Sequence, residues 1–339
     1  MLAAAMVVIV SCSRPGGVGV RFEVVAEAAP ELVWPSAPNP PRIRYLTSVE
    51  TPADVGVRKS MIRRMVDVFI GAAEPRVRRP TGIAVDSTGR VFVADAAARG
   101  VHVFDPARGR YEFLSASGRR GFRSPVGVAL DGAGNVYVSD SELGEVVVFD
   151  AGGRERRRIR EGLERPTGLA FDRQRGVLYV ADTKTHRMAA FDSAGRPIRS
   201  FGRRGTGDGE FNFPTNVAVD RDGSVLVVDA MNFRIQVFSP EGRYLRQFGR
   251  HGDAVGDLAR PKGVALDSEG HVYVVEGLYD VVNVFDAGGR LLLSFGGAGR
   301  GRGEFWLASG IAIDRQDRMY ISDSYNSRVQ VLQYIAEAK

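Results

Sequence analysis

One block recurs six times along this chain, and six near-equal units in series exclude an ordinary single-core fold. The copies read PTGIAVD (80–86), PVGVALD (125–131), PTGLAFD (166–172), PTNVAVD (214–220), PKGVALD (261–267) and ASGIAID (308–314), with steps of 45, 41, 48, 47 and 47 residues between their terminal aspartates. Each continues through a short turn into an apolar run ending in an acid: Asp95, Asp140, Asp182, Asp229, Glu276 and Asp323. A third run follows, ending near Phe104, Phe149, Phe191, Phe238, Phe285 and Leu332, and most copies then turn into a fourth. The runs are short, rich in Val, Ile, Tyr and Phe, and bounded by Gly and Asp, which is strand chemistry. Four strands in about 45 residues is the spacing of a propeller blade. A β-sandwich would not require six units of identical internal order. The expected fold is therefore all-β, a six-bladed β-propeller of four-stranded antiparallel blades, with one short helix before blade one.

The corners and linking loops carry a more specific signature. DAMNFRIQVF (229–238) and DSYNSRVQVL (323–332) follow D-x-x-N-x-R-[VI]-Q-V, and FGRRGTGDGEF (201–211), FGRHGDAVGDL (248–258) and FGGAGRGRGEF (295–305) link successive copies. Together with the P-x-G-[IV]-A-[VL]-D block, these motifs resemble the NHL repeat over residues 75–335. The resemblance implies a six-bladed propeller. The sixth copy has three strands, so the upstream run 42–49 is expected to supply its fourth and close the ring, protecting an edge. Residues 57–71 place Val57, Met61, Met65 and Phe69 four apart, with Ile62 and Val66 alongside and Arg58, Lys59, Arg63, Arg64 and Asp67 elsewhere. That is an amphipathic helix, expected to pack over one end of the propeller or to touch a membrane surface. The propeller is thus expected to occupy 42–335, with repeats starting near 80, 125, 166, 214, 261 and 308.

The chain opens on a nine-residue apolar run, 2–10, too short to cross a bilayer but suited to a signal peptide. It ends in Ile9-Val10-Ser11-Cys12, which resembles the bacterial lipobox, and Cys12 is the single cysteine of the 339 residues. One cysteine excludes an internal disulfide framework and a Cys-rich metal site. The resemblance implies a signal peptide over 1–12, lipidation of Cys12 and, with Ser13 following it, anchoring at the outer membrane of a cell envelope. Residues 13–41, holding Pro15, Pro30, Pro35, Pro38, Pro40 and Pro41, would be a tether. The net charge of +6 rests on forty-two arginines against four lysines. That skew reads as genomic base composition, so basicity is discounted as a sign of nucleic acid.

The turns joining strands one to two and three to four are tight, whereas the opposite end carries the long Gly-rich loops and the D-x-x-N-x-R corners. Binding residues concentrate on such loops. His186, Asn216, Met231, Phe233, Lys262, Tyr279, Trp306 and Tyr325 are the candidate ligand-binding residues there. Asp182 with Arg187, Asp229 with Arg234, and Asp323 with Arg328 are expected to brace their blades by charge-assisted hydrogen bonds. The run RERRRIR (154–160) fits a charged outer strand that protects an edge.

These features favour a non-enzymatic, lipid-anchored propeller that binds a protein, peptide or glycan in the cell envelope, with no cofactor, no catalytic residue, no metal and no nucleic acid, as a monomer. Two alternatives come from the same resemblance. One is a metal-dependent lyase or lactonase-like hydrolase of the amidating-lyase type, whose zinc would need converging imidazoles. His102, His186, His251 and His271 occupy four different repeat positions. The other is an RNA-binding propeller, for which the aromatic interleaving is sparse. Replacing Cys12 by Ser is expected to move the protein from the membrane to the soluble fraction; unchanged fractionation would refute the anchor.

Overall fold

The structure is a computed structural model and describes residues 31–57, 74–118 and 121–336. Leu32–Lys339 form one compact unit. Cys12, residues 13–30 of the expected tether and residues 58–71 of the expected helix lie outside the described residues. As the repeats predict, six antiparallel sheets make six blades. Blade 1 comprises Pro80–Val85, Val91–Asp95, Gly100–Asp105 and Arg110–Leu114. Blade 4 repeats the plan with Pro214–Val219, Val225–Asp229, Arg234–Phe238 and Tyr244–Phe248. The first strands of all six blades touch their neighbours in a closed ring, blade 6 meeting blade 1.

Blade 6 takes Ala308–Ile313, Arg318–Asp323 and Arg328–Tyr334 from the end of the chain and Ile43–Val49 from its beginning. Val49 pairs with Val329 and Ile43 with Tyr334. A fifth strand, Val33–Trp34, adds to that edge. This corrects the reading of 13–41 as spacer throughout. Leu32 and Trp34 pack against the core between blades 5 and 6, with the Trp34 ring 5.8 Å from Phe295, so apolar burial holds the segment on the sheet.

Six apolar clusters fill the spaces between adjacent blades. Each uses two recurring plugs. One stands at the end of the outer strand, Phe201 in blade 3, Phe248 in blade 4 and Phe295, the penultimate residue, in blade 5. The other stands three residues before the next blade, as Phe211, Leu258 or Phe305. At the seam between blades 6 and 1 both plugs are valines, Val49 and Val77. Valine is smaller than the Phe, Leu or Ile plugs of the other seams, and a cavity of about 310 Å³ opens there, walled by Val91, Val93, Phe104, Tyr320, Val329 and Val331.

The acid ending each second strand is fully buried in all six blades. It accepts backbone N–H groups from the loop entering its own blade. Asp95 takes Arg78 and Arg79 at 2.6 and 3.2 Å, Asp140 takes Arg123 and Ser124, Asp182 takes Glu164 and Arg165, and Glu276 takes Ala259 and Arg260. In blade 4 the whole motif interlocks with the Gly-rich loop. Arg234 donates through Nε to Asp229 at 2.8 Å and through Nη2 to the Gly207 and Glu210 carbonyls. Asn232 donates to Asp229 and to the Gly205 carbonyl. Gln236 donates to Asp229 and Glu210 and accepts the Gly209 N–H at 2.9 Å. Blade 6 repeats this with Asp323, Asn326, Arg328 and Gln330. A side chain at Gly205 would collide with the Glu210 carboxylate that ties the loop to itself.

Blade 3 departs from the expected brace. Arg187 donates to the Gly162 carbonyl at 2.6 Å rather than to Asp182, and its Nε has no partner. The loop entering this blade is a short turn without a Gly-rich arc, so there is nothing for the arginine to clamp. Blade 2 reverses the charges: Glu145 stands in the arginine position and is held by Arg158 at 2.6 Å and Arg160 at 2.5 Å. The outer-strand arginines therefore serve the blade's own brace as well as its edge. In blade 1, His102 reaches Asp95 at 3.3 Å and Tyr111 at 2.9 Å.

Removing a partner from a buried ion pair leaves an uncompensated charge, at a cost of about 3–5 kcal/mol. Asp229→Ala is expected to lose about that much in chemical denaturation, since Arg234 and the Asn212 amide are orphaned together. Asp150→Ala, in an exposed turn of blade 2, should shift the midpoint far less. Equal midpoints would show that the buried acid does not brace the blade.

Candidate functional site

The two ends of the propeller differ in chemistry. At the tight-turn end each first strand stops in an acid spent on its own turn: Asp86 accepts from Thr88 and Arg90, and Asp267 from Glu269 and His271. His271 meets Tyr334 edge-on at this end, with ring centroids 5.6 Å apart. The long-loop end carries the deeper variation between blades.

Around the pseudo-axis at the long-loop end lies a cavity of about 340 Å³. Its wall includes the residue after proline or its equivalent from all six blades: Thr81, Val126, Thr167, Thr215, Lys262 and Ser309. Asn216 also lines it, with Arg79 and Arg165 at the rim. Several hydroxyls are already committed. Thr81 donates to Ala94, and Thr167 shares a hydrogen bond with Thr183, whose hydroxyl donates to the Pro214 carbonyl. These bonds tie neighbouring blades at the channel mouth. Asn216 accepts the Val217 N–H through Oδ1 at 2.8 Å, which leaves its amide hydrogens for the cavity. Lys262 is half-buried, and burial, with the nearby Arg260 charge, pushes its amine below the usual lysine range.

Farther out, exposed large apolar side chains gather on blades 4 to 6: Phe213, Met231, Leu278, Tyr279, Trp306 and Tyr325. Backbone turns set them up. Met231 donates its N–H to Asn212, and Tyr325 to Trp306, so each corner is tied to the loop beside it. The Trp306 and Tyr325 rings lie 5.7 Å apart, with the Arg300 guanidinium 4.7 Å over Trp306. The same end of blades 1 to 3 is polar, with Arg123 paired to Glu142 and Lys184 to Glu164. The Lys184 amine is raised by Glu164 and the Glu164 carboxyl lowered by Lys184.

The eight candidate residues read from the sequence divide. Met231, Tyr279, Trp306 and Tyr325 stand in the exposed arc. Asn216 and Lys262 line the central cavity instead. His186 is buried at φ 54° and accepts the Phe213 N–H at Nδ1, with its ring 4.4 Å from Phe213. It therefore positions Phe213 rather than presenting itself. Phe233 sits at φ 57° and packs half-buried on His251 at 4.3 Å. Phe213, Leu278, Arg79 and Arg165 are additional members that sequence reading passed over. Leu278 occupies the repeat position of Met231 and Tyr325, and Phe213 that of Arg79 and Arg165, so comparing these registers across the six copies could have found all four.

The donor set at the channel mouth does not fit a metal. It offers Lys262, two arginines, hydroxyls and one amide, with no carboxylate or imidazole in the wall. Among the described residues no three His, Cys, Asp or Glu side chains gather to hold an ion. Asp280, close by, is raised by burial and by Asp323, and its Oδ1 accepts the Ala308 N–H.

Residues 126–249 match the SMP-30/gluconolactonase/LRE-like region, and residues 305–332 match the NHL repeat. Among the curated proteins none matches. Virginiamycin B lyase from Staphylococcus aureus superposes with a TM-score of 0.58 at 13% identity, covering 76% of this chain and 95% of that one. A Bacteroides thetaiotaomicron protein of unknown function reaches 0.61 at 16% identity over 77% and 70% of the two chains. A chain of the nidogen–laminin complex reaches 0.53 at 22%, over 64% and 79%. At these identities the likeness is one of fold. Six closed blades, with the SMP-30/gluconolactonase/LRE-like match over 126–249 and the NHL match over 305–332, support a six-bladed β-propeller of the NHL/SGL type.

Proposed function

We propose that this propeller is a non-enzymatic binding module of the bacterial cell envelope, tethered through a lipid on Cys12, whose long-loop end docks a protein partner. The observation that carries the reading is the arc of exposed Phe213, Met231, Leu278, Tyr279, Trp306 and Tyr325 confined to one end of blades 4 to 6. Scattered surface hydrophobics need no explanation, but a clustered set rimmed by polar residues marks an interaction surface. Tyr and Trp supply large contact area with few rotatable bonds to immobilise, and such residues dominate binding hot spots. The rigid ring beneath means that little ordering cost falls on binding. The lyase and lactonase alternative would need an activating group at the channel, and the donor set there favours binding over metal chemistry.

A photo-crosslinking residue placed at Tyr279 in living cells is expected to capture a discrete protein adduct. The same residue at Asp222, in a tight turn at the opposite end, is expected to capture none. Identical adduct patterns from the two positions would refute the docking face. A stoichiometric metal in purified protein would favour the enzymatic alternative.

A further inference from the structure

A structural position repeats with the blades, whereas a binding position is singular, so departures from sixfold equivalence locate a site. Two departures line the central cavity at the long-loop end, and a third stands against one of them. Lys262 stands where the other blades have Thr81, Val126, Thr167, Thr215 and Ser309. Asn216, on the adjacent blade, stands where the other five have Gly. Gly277 stands where the others carry Ala96, Ser141, Thr183, Ala230 and Ser324. The third departure serves the first: a Cβ at Gly277 would lie 3.0 Å from Lys262 Cγ, so the missing side chain makes room for the lysine stem.

The free groups facing this space are donors. Lys262 has no ion-pair partner among the described residues, and Glu276, the carboxylate whose charge acts on it, is spent on the Ala259, Arg260 and Leu278 N–H groups. The Asn216 amide hydrogens are uncommitted because Oδ1 is the atom bound to Val217. Arg79 and Arg165 stand at the rim, and no carboxylate lines the wall. A half-buried ammonium without a counter-charge is costly, and a bound oxyanion would supply the missing charge and accept the free hydrogens. The cavity volume sits at the small end of ligand pockets.

We propose that the long-loop mouth of the channel is an oxyanion site, in which Lys262 and Asn216 bind the carboxylate or phosphate of a compact ligand and Arg79 and Arg165 draw it in. This rests on the binding-module reading and names the chemistry recognised at its centre. The oxyanion belongs to a peptide carboxylate or to a free phosphate, and the test separates the two.

The chain has four lysines, so the labelling of Lys262 by acetic anhydride can be followed alone by peptide mass mapping. Its depressed amine is expected to label faster than Lys184, which Glu164 holds protonated. Added inorganic phosphate or acetyl-Ala-Ala, at ten times its dissociation constant, should slow Lys262 labelling about tenfold and leave Lys184 unchanged. Protection by only one of them identifies the group. The carboxamide form of the peptide, and chloride at equal ionic strength, should give no protection. Asn216→Gly, which restores the residue of the other blades, should retain the thermal melt and lose the protection. The proposal is overturned if neither anion protects beyond chloride, if the neutral peptide protects equally, or if N216G protects like the parent. Crosslinking at Tyr279 does not involve these groups. A captured partner alongside failed protection would remove the oxyanion site and leave the docking face standing.

Discussion

A buried carboxylate at the end of each second strand holds this molecule together. It accepts backbone N–H groups of the incoming loop, in blades 1, 2 and 5 those of the corner that follows, and in blades 4 and 6 an arginine, an asparagine and a glutamine side chain. A buried acid is tolerable only when its lone pairs are filled, and here each filled lone pair fixes a different stretch of chain. The acid therefore couples strand, corner and linking loop in one stroke. Blades that lose one partner find another. His102 serves in blade 1, and a reversed Glu145 with two outer-strand arginines serves in blade 2. In blade 3 the short loop leaves Arg187 reaching for Gly162, while Asp182 still fixes the loop backbone. The carboxylate is the constant, and the cation is replaceable.

That economy explains how one end of the ring became free to vary. The tight turns at one end engage their own aspartates, three of which also accept a tyrosine hydroxyl from the second strand, so those acids are spent on structure. At the other end the backbone is pinned from beneath, and the outward side chains carry no structural duty. Trp306, Tyr325, Tyr279 and Met231 occupy those released positions on blades 4 to 6, and the polar ion pairs of blades 1 to 3 occupy the rest. The seam between blades 6 and 1 is packed with valine at both plug positions, where the other seams use phenylalanine, leucine or isoleucine. The price there is local, because strand pairing between Ile43–Val49 and Arg328–Tyr334 carries the closure.

The fold was legible because repetition multiplies a weak signal. A single six-residue apolar run is ambiguous, but six copies in register, with Asp in all of them and Pro and Gly each in five at fixed offsets, leave one economical architecture. The site was legible only in part. Lys262 and Asn216 are visible as breaks in the repeat, and Met231, Tyr279, Trp306 and Tyr325 as aromatics or large apolar residues at corners. His186 looked equally prominent, yet its ring is consumed in supporting Phe213. The spacing of a corner shows that a residue is at the loop end; it does not show whether the left-handed backbone there turns the side chain inward or out.

By itself the sequence determined the blade count, the strand order within a blade and the end that varies, because these follow from periodicity and turn chemistry, which are local. Tertiary structure decided which corner side chains meet. Asn216 and Lys262 are forty-six positions apart and share one cavity only because adjacent first strands line a common axis. It also decided that Gly277 yields space to the Lys262 stem, that Arg187 serves a carbonyl rather than Asp182, and that Trp34 covers blade 6. Each of these depends on through-space packing between segments distant in sequence, where competing partners are compared by burial and distance rather than by pattern.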